Sequence, residues 1–405
     1  MRRLSIINND FSFSELLSAI AAESKPPDSG DFENALRGFL NVKHCFLTSC
    51  GFTALYVILK TLMALKPGRN EVVIPAYTAP GLTLPIRKLG LTVKLCDISL
   101  KTFNLDIESL GNVVNGNTLA VVPPHMFGLS VDLAAVRAAA GKDVVVIQDF
   151  AQSLGSDQPV QRETGPVTEF SFGSFGRGKN FSLYHGGLLT LATSEHYELI
   201  KNHFDELPST GLLRQYKAAV MFPLFSCLVQ PGVYQVFHNI LSSLKSKSEQ
   251  TDFSAAKMGG IQVSSGEKLF KLWKNNYEKR VLNGLKYYEK LENFKGIALP
   301  AMLPGSKAAF NRFPVLVEDI SFKQRIAEKL SQNSIEASFM YLKPVHMLWD
   351  LGYKPDDLPN ARYFAEHLIT LPSHGIVSDA DIAKTVSLIE SVLSFPRASG
   401  GNPAQ

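Results

Sequence analysis

Three short segments of this chain carry residues whose types and spacing could do chemistry. The first runs from Ser49 to Thr53, at the boundary between a predicted strand and a predicted helix. Free backbone N–H groups and the positive end of the helix dipole favour an anion there, and Gly51 would let it approach the backbone closely. We expect a phosphate at this boundary, although an ordinary strand-to-helix turn would also account for the glycine.

The second segment begins with Asp149, which follows the apolar run DVVVIQ (143–148). A carboxylate at the end of a buried strand needs a partner, because an unpaired charge in a medium of low dielectric costs several kcal/mol. The cationic ring nitrogen of a ligand would be one partner. A helix cap or a nearby lysine would be another.

The third segment is GSFGRGKN, from Gly173 to Asn180. It matches the GxxxxGK pattern of a phosphate-binding P-loop, but Asn180 replaces the Ser or Thr that would hold magnesium, and no helix is predicted to follow. These departures argue against a nucleoside triphosphatase. Lys179 lies among Phe172, Phe175, Phe181 and Tyr184. Burial there would lower the pKa of Lys179 and free its amine for Schiff-base chemistry. The alternative is an ordinary solvated surface lysine with no part in catalysis.

One ligand satisfies all three segments. It would place a phosphate at a helix start, an aromatic nitrogen opposite a carboxylate, and a carbonyl carbon near an amine. Pyridoxal phosphate has these three groups. The sequence therefore predicts this cofactor.

The elements that must position these segments are strands alternating with helices, up to about residue 195. The apolar runs predicted as strands are HCFLT (44–48), EVVIPA (71–76), LTVKLCDI (91–98), TLAVVP (118–123), DVVVIQ (143–148), TEFSFGS (168–174) and GLLTLAT (187–193). A buried helix is predicted over 52–66. We expect an α/β fold with a mostly parallel seven-stranded sheet between helices. Ligands bind outside the carboxyl ends of such strands, where the three segments stand.

A second, smaller α+β unit is predicted beyond residue 256. It begins with a long connecting helix, whose apolar stripe is Leu269, Trp273, Tyr277, Val281, Leu285 and Tyr288. A strand at 313–318 and helices at 322–332 and 379–393 follow. We therefore divide the chain into a large cofactor-binding domain (1–255), with an apolar insert at about 205–257, a small domain (256–395) and a loose tail (396–405).

Composition restricts the function classes further. The 405 residues include 41 Lys and Arg against 37 Asp and Glu, and a net charge of +4 argues against nucleic acid as a partner. Four cysteines are too few for a disulfide framework, and no Cys or His cluster has metal-ligand spacing. The most apolar run, 218–229, is shorter than the roughly 20 residues that span a membrane. We expect a cytoplasmic protein with no membrane span.

Three motifs, in order, resemble those of the DegT/DnrJ/EryC1/StrS sugar aminotransferases, which are pyridoxal phosphate enzymes of fold type I. CGFTAL (50–55) resembles the family's "SGTAAL", DFAQSLG (149–155) its "DxAQxxG", and SFGRGKN with HGG (174–187) its "SFxxxKN…EGG". The resemblance covers most of residues 30 to 390.

The resemblance implies a role for each matching residue. Lys179 would bind the cofactor covalently and act as the general base, and Asp149 would keep the pyridine nitrogen protonated. Gln152 would lie beside the ring oxygen. The phosphate would be held at Gly51 by Ser174 and by the backbone amides of Phe52 and Thr53.

Some positions depart from the family pattern. Phe52 replaces a threonine, and Ala79 stands where many members carry an aromatic residue that stacks on the cofactor. We expect Tyr77 or His125 to take over that contact or to reach the substrate. His185 replaces the glutamate of "EGG" and is a candidate substrate residue.

The resemblance implies amino transfer. The donor and acceptor usual in the family are glutamate and a keto-sugar carried on a nucleotide. The resemblance also implies a homodimer and a role in polysaccharide biosynthesis. Lys179 favours amino transfer over the family's branch that removes hydroxyls, which has histidine there. Two alternatives stay open: a pyridoxal phosphate enzyme for a non-nucleotide or membrane-associated substrate, with peripheral membrane contact through 218–229, and a non-catalytic binding or regulatory protein.

Overall fold

The computed structural model describes residues 2–21, 29–156, 161–162, 165–166, 168–245 and 252–394. The predicted tail at 396–405 lies outside the described residues. So does a short part of the predicted insert, at 246–251.

The first half of the chain builds the large sheet. Its strands are β1 (His44–Thr48), β2 (Glu71–Pro75), β3 (Thr92–Cys96), β4 (Thr118–Val121), β5 (Val145–Asp149), β6 (Gln161–Arg162), β7 (Gly165–Pro166), β8 (Phe170–Ser174) and β9 (Gly187–Leu191). Seven of them form one sheet in the order β1-β9-β8-β5-β4-β2-β3, while β6 and β7 pair separately. Only β9 in this sheet runs antiparallel to its neighbours, β1 and β8. The predicted mostly parallel seven-stranded sheet is confirmed.

Helices cover this sheet on both faces. They are α1 (Phe13–Ala21), α2 (Ser29–Leu40), α3 (Gly51–Leu65), α4 (Thr83–Lys88), α5 (Ile107–Val113), α6 (Leu133–Ala140), α7 (Tyr197–Asp205), α8 (Leu212–Leu228) and α9 (Pro231–Lys245). Successive residues of β2 show why both faces need covering. Val72 and Ile74 pack into the core cluster that contains most of α3, whereas Val73 packs into a separate cluster with Val136 of α6. Side chains alternate between the two faces of a strand, so an apolar run is buried on both.

The second half of the chain adds five helices and a small antiparallel sheet. Its elements are α10 (Gly260–Asn276), α11 (Glu278–Leu291), β10 (Ile297–Ala298), β11 (Phe313–Val317), α12 (Ile320–Gln332), α13 (Pro359–His367), β12 (Leu368–Leu371) and α14 (Asp379–Leu393). The three strands pair in the order β10-β11-β12. The start of the chain packs here too, since Leu4 pairs with Ile335 and Asp10 forms a buried ion pair with Arg280 at 3.3 Å.

The predicted long connecting helix is two helices that meet at Tyr277. The stripe expected to face the core holds through Leu269 and Trp273, but Leu285 is 42% exposed. In α11 the buried face contains Gly284 and Tyr287 instead. Gly284 lies directly against the ring of Phe310, because a Cβ added there would be 2.1 Å from Cδ2 of that ring.

The apolar insert forms α8 and α9. Within the described residues, no single helix combines the length and the apolar composition needed to cross a bilayer. Only the pair 212–228 and 231–238 meets both criteria together, and that pair is bent by 92°. Pro223 lies inside α8, where Ala218 and Phe222 are buried.

Candidate active site

A cavity of about 730 Å³ lies where the three predicted segments meet, at the carboxyl ends of β5 and β8 and the start of α3. The predicted site residues that line it are Gly51, Phe52, Asp149, Gln152, Ser174, Lys179 and His185. The parallel pairing of β5 with β8 sets Asp149 beside Phe172. Residues more than a hundred positions apart in the sequence therefore share one cavity.

Asp149 stands at the end of β5 with its carboxylate at the cavity. Its side chain is buried to 6% exposure, and Oδ1 accepts a hydrogen bond from the backbone N–H of Ala151 at 2.8 Å. Burial raises the pKa of Asp149 to about 6, although the Ala151 N–H and the charge of Lys179 act in the opposite direction. Within the described chain this carboxylate has no ion pair within 4.0 Å. A cationic ligand nitrogen would satisfy it.

Lys179 lies in the loop between β8 and β9, which is anchored on both sides. Asn180 donates a hydrogen bond from Nδ2 to the carbonyl oxygen of Leu154 at 3.1 Å, and the ring of Phe181 packs 5.3 Å from that of Phe270. Gly178 adopts a φ of +76°, and a Cβ there would lie 2.9 Å from Cγ2 of Ile7. No helix follows Lys179 before β9, so the loop lacks the helix of a P-loop.

The Lys179 amine has a lowered pKa. Burial and the positive charge of Arg312 lower the pKa, the negative charge of Asp149 raises it, and the result is about 8. In the part of the chain that the structure describes, Nζ makes no hydrogen bond. A tenth or so of the amine is therefore uncharged at pH 7, which is the form that attacks a carbonyl carbon.

The start of α3 and the end of β8 approach each other closely at one end of the cavity. A Cβ at Gly51 would lie 3.1 Å from the carbonyl oxygen of Gly173 and 3.2 Å from Cβ of Ser174. The first turn of a helix has N–H groups without intrahelical partners. In α3 the N–H of Phe52 stands at this end, whereas the N–H of Thr53 donates to the carbonyl oxygen of Cys50 at 3.1 Å. The side chain of Cys50 makes no capping hydrogen bond to a backbone N–H, and its Sγ lies 3.4 Å from Oγ1 of Thr53. This arrangement suits a phosphate.

Phe52 and Ala79 both line the cavity. The Phe52 ring lies over Gly81, where an added Cβ would be 2.3 Å from Cζ of that ring. Phe253 packs edge-on against Phe52, with ring centroids 6.1 Å apart. An aromatic ring therefore lines the cavity from position 52, whereas position 79 provides none.

Three predicted residues lie behind the cavity wall. Thr53 is fully buried, and its N–H donates to the carbonyl oxygen of Cys50 at 3.1 Å. Tyr77 donates its hydroxyl to the carbonyl oxygen of Met340 and packs against Tyr341 and Phe364. His125 is 2% exposed, and Nδ1 accepts a hydrogen bond from the N–H of Val131 at 3.1 Å.

These contacts give Tyr77 and His125 structural roles. Burial lowers the pKa of His125 to about 4, so the ring is neutral at physiological pH. Neither side chain reaches the cavity, and we do not assign either to the cofactor or the substrate. Gln152 does line the cavity, and its Oε1 accepts from the N–H of Phe127 at 3.2 Å.

Two arginines at the cavity were not predicted from the sequence. Arg177 belongs to the Lys179 loop, and Arg214 lies in the first turn of α8. Both are exposed, and among the described residues neither forms an ion pair. Partial burial and the charges of these two arginines lower the pKa of His185 to about 4. Arg177 occupies a variable position of the SFxxxKN pattern, and Arg214 reaches the cavity only through the packing of α8, so the motifs singled out neither arginine.

The residues fit pyridoxal phosphate on the chemistry of the donor set. The cavity provides a buried carboxylate that lacks an ion pair, an amine of lowered pKa, and a glycine where a side chain would obstruct the helix start. Each corresponds to one group of the cofactor: the ring nitrogen, the carbonyl carbon and the phosphate.

Comparisons with known proteins match the chain to a family of aminotransferases. The model of the DegT/DnrJ/EryC1/StrS aminotransferase family matches residues 15–390. The spore coat polysaccharide biosynthesis protein SpsC of Bacillus subtilis is 24% identical over 381 residues, which cover 91% of this chain and 90% of SpsC. GDP-perosamine synthase of Caulobacter vibrioides is 29% identical over 161 residues, 40% of this chain and 43% of the synthase.

A solved structure has the same fold. The PLP form of the putative sugar aminotransferase Spr1654 from Streptococcus pneumoniae superposes with a TM-score of 0.76 at 19% identity, covering 96% of this chain and 98% of that one. The family match spans nearly the whole chain, and enzymes of this family depend on pyridoxal phosphate. The chain therefore belongs to the DegT/DnrJ/EryC1/StrS aminotransferase family.

Proposed function

We propose that this protein transfers an amino group from glutamate to the ketone carbon of a sugar carried on a nucleotide. The observation that carries the proposal is the meeting of Lys179 and Asp149 at one cavity, whose rim carries Arg177 and Arg214. The amine of Lys179 and the carboxylate of Asp149 suit amino transfer, and the two arginines suit an anionic substrate.

Each residue would have a defined task. Asp149 would hold the pyridine nitrogen, while the amides at the start of α3 and Ser174 would hold the phosphate. Bound pyridoxal phosphate supplies an electron sink for the negative charge that develops at the α-carbon of the amino donor. Lys179 would take the proton from that α-carbon at Nζ, because an amine with a pKa of about 8 is a competent base near neutral pH.

The rim of the cavity supports an anionic acceptor. Arginine matches phosphate oxygens with a planar fork of donors, and these two arginines have no carboxylate partner in the described chain. His185, neutral at its pKa of about 4, adds a hydrogen-bonding group between them and Lys179 without repelling either. A nucleotide diphosphate carries the negative charge that such a rim would bind. The name of GDP-perosamine synthase points to the same substrate class.

The test uses glutamate labelled with heavy nitrogen and a panel of nucleotide-linked keto-sugars. We expect the label to appear in the sugar product by mass spectrometry. Lys179→Ala should abolish the transfer, and Lys142→Ala, which changes an exposed lysine outside the cavity, should leave it unchanged. A protein that binds the cofactor but labels no member of the panel would contradict the proposal and favour a binding or regulatory role.

We further propose that the protein works as a homodimer in the cytoplasm, as the family resemblance implies. Light scattering of the purified protein would test the first point. A mass of one chain at assay concentration would contradict it.

A further inference from the structure

Helix α8 turns a row of large apolar side chains toward solvent. Leu213, Tyr216, Val220 and Leu224 are 85%, 61%, 63% and 47% exposed. Their spacing of three, four and four residues puts them on one face of the helix. The opposite face packs inward, with Phe222 buried. A surface helix normally presents polar residues to water, so this arrangement is unusual.

Helix α9 continues the pattern. After the 92° bend, Val236 and Phe237 are 72% and 41% exposed. We call these two residues and the four of α8 the docking face. Single exposed apolar residues are ordinary, but six on two consecutive helices form a surface that excludes water when covered.

The charged residues of α8 and α9 all have one sign. Lys217 is exposed one position after Tyr216, and Arg214 is exposed beside Leu213. The sequence between Glu206 and Glu249 contains no Asp or Glu. A partner surface must therefore combine apolar material with negative charge.

A second copy of the chain does not meet this requirement. In a two-fold dimer the same patch meets itself, so this face would bring Lys217 near its own copy, and neither α8 nor α9 carries an acidic residue to compensate. An anionic lipid bilayer does meet it, because apolar side chains enter the headgroup boundary while lysine and arginine contact lipid phosphates.

We propose that the docking face binds the surface of an anionic lipid bilayer. The helices lie on the membrane and do not cross it. Arg214 lines the active-site cavity from the first turn of α8, so docking holds the cavity next to the bilayer surface. This inference concerns where the enzyme works and does not depend on which sugar it uses.

The experiment measures cosedimentation of the full-length holoenzyme with vesicles. One set contains phosphatidylcholine alone, and the other an equimolar mixture of phosphatidylcholine and phosphatidylglycerol. We expect binding to the mixed vesicles that weakens with added salt, and much weaker binding to phosphatidylcholine. The triple variant Leu213→Ser, Val220→Ser, Leu224→Ser should lower the partition coefficient about tenfold or more. Lys217→Glu should lower it on the anionic vesicles.

The matched control is Leu282→Ser with Leu342→Ser, two residues that are 54% and 72% exposed outside α8 and α9. This control should bind like the wild type. Retained cofactor absorbance and an unchanged melting temperature show that each variant is folded. Wild-type protein that fails to bind the mixed vesicles overturns the proposal, and so does a triple variant that binds them equally well. A triple variant whose mass in light scattering falls below that of the wild type also overturns it, because a second copy then covers the face.

Discussion

Asp149 and Lys179 influence each other through charge while burial acts on both. Burial disfavours the charged form of each, and each charge favours the ionised form of the other. The opposed effects leave the carboxyl and the amine with pKa values nearer neutrality than usual. The sequence pointed to both residues because each lies in a recognisable motif. It could not give their pKa values, which depend on burial and, for Lys179, on the nearby Arg312.

Asp149→Asn should reduce kcat about a hundredfold or more. The amide is similar in size but carries no charge, so it cannot keep a ring nitrogen protonated. Steady-state kinetics with a working amino donor measure the effect, and cofactor content by absorbance serves as the control. A variant that keeps cofactor and near-normal turnover would show that Asp149 is not the ring partner.

The rate at which cofactor-free protein binds added pyridoxal phosphate should rise with pH through a midpoint near pH 8 and level off about one pH unit higher. The reactive form of Lys179 is the neutral amine, which predominates above its pKa of about 8. Asp149→Asn removes a charge that raises this pKa, so its midpoint should be lower. Arg312→Met removes a charge that lowers it, so its midpoint should be higher. Stopped-flow absorbance across pH checks all three, and midpoints that do not move in opposite directions contradict the assigned electrostatics.

Phe52 and Gly81 form a pair that can be tested together. Gly81→Ala puts a Cβ within 2.3 Å of the Phe52 ring, so the ring must move into the cavity. We expect weaker cofactor binding, by about tenfold, since overpacking typically costs about 1–3 kcal/mol. The double variant Gly81→Ala, Phe52→Ala should recover most of that loss in a titration with pyridoxal phosphate. If the double variant instead loses the sum of the two single-variant losses in cofactor affinity, the Phe52 ring does not cause the effect of Gly81→Ala.

At the scale of elements, the strands were the most predictable part. Central strands of a parallel sheet are buried on both faces, so they read as continuous apolar runs between turns. Each of the seven predicted runs overlaps a strand of the large sheet, to within one or two residues at most ends. Helices α12 and α14 were also predicted within a few residues, since each has a clear amphipathic pattern.

The connecting helix was predicted incorrectly for a geometric reason. Apolar residues spaced by four advance about 400° around a helix, so each step drifts about 40° from the previous one. After Tyr277 the stripe has therefore rotated away from the core, and Gly284 and Tyr287 face inward instead. The sequence did not indicate that Gly284 lies on the inner face of α11, because that position depends on the close packing of Phe310 against it.

Gly284→Ala should destabilise the protein by about 1–3 kcal/mol, because the added methyl group would lie 2.1 Å from the Phe310 ring. Gly38→Ala in α2 is the matched control, since nothing lies within 4 Å of its added Cβ. Alanine is favoured over glycine in a helix, so this control should stabilise by about 0.5–1 kcal/mol. Denaturant unfolding measures both. Equal effects of the two changes would contradict the packing described for α11.

At the scale of the whole molecule, the fold brings residues that are distant in the sequence to one cavity. It also exposes the docking face on α8 and α9. The motifs near 51, 149 and 179 predicted the cofactor end of the cavity. The arginine-bearing rim and the exposed residues of the docking face depend on how α8 packs. The apolar run at 218–229 left peripheral membrane contact open, but it could not show which side chains face solvent. The sequence also could not show on which side of the cavity wall the side chains of Tyr77 and His125 lie, because that depends on the packing of residues distant in the sequence.

The central claim is that one cofactor joins these distant segments through Lys179. The most direct measurement is borohydride reduction of the purified holoenzyme, followed by proteolysis and peptide mass mapping. We predict a pyridoxyl group on the peptide that contains Lys179, and its loss from that peptide in Lys179→Ala. A pyridoxyl group on another lysine, or none on any peptide of a protein supplied with pyridoxal phosphate, would contradict the account.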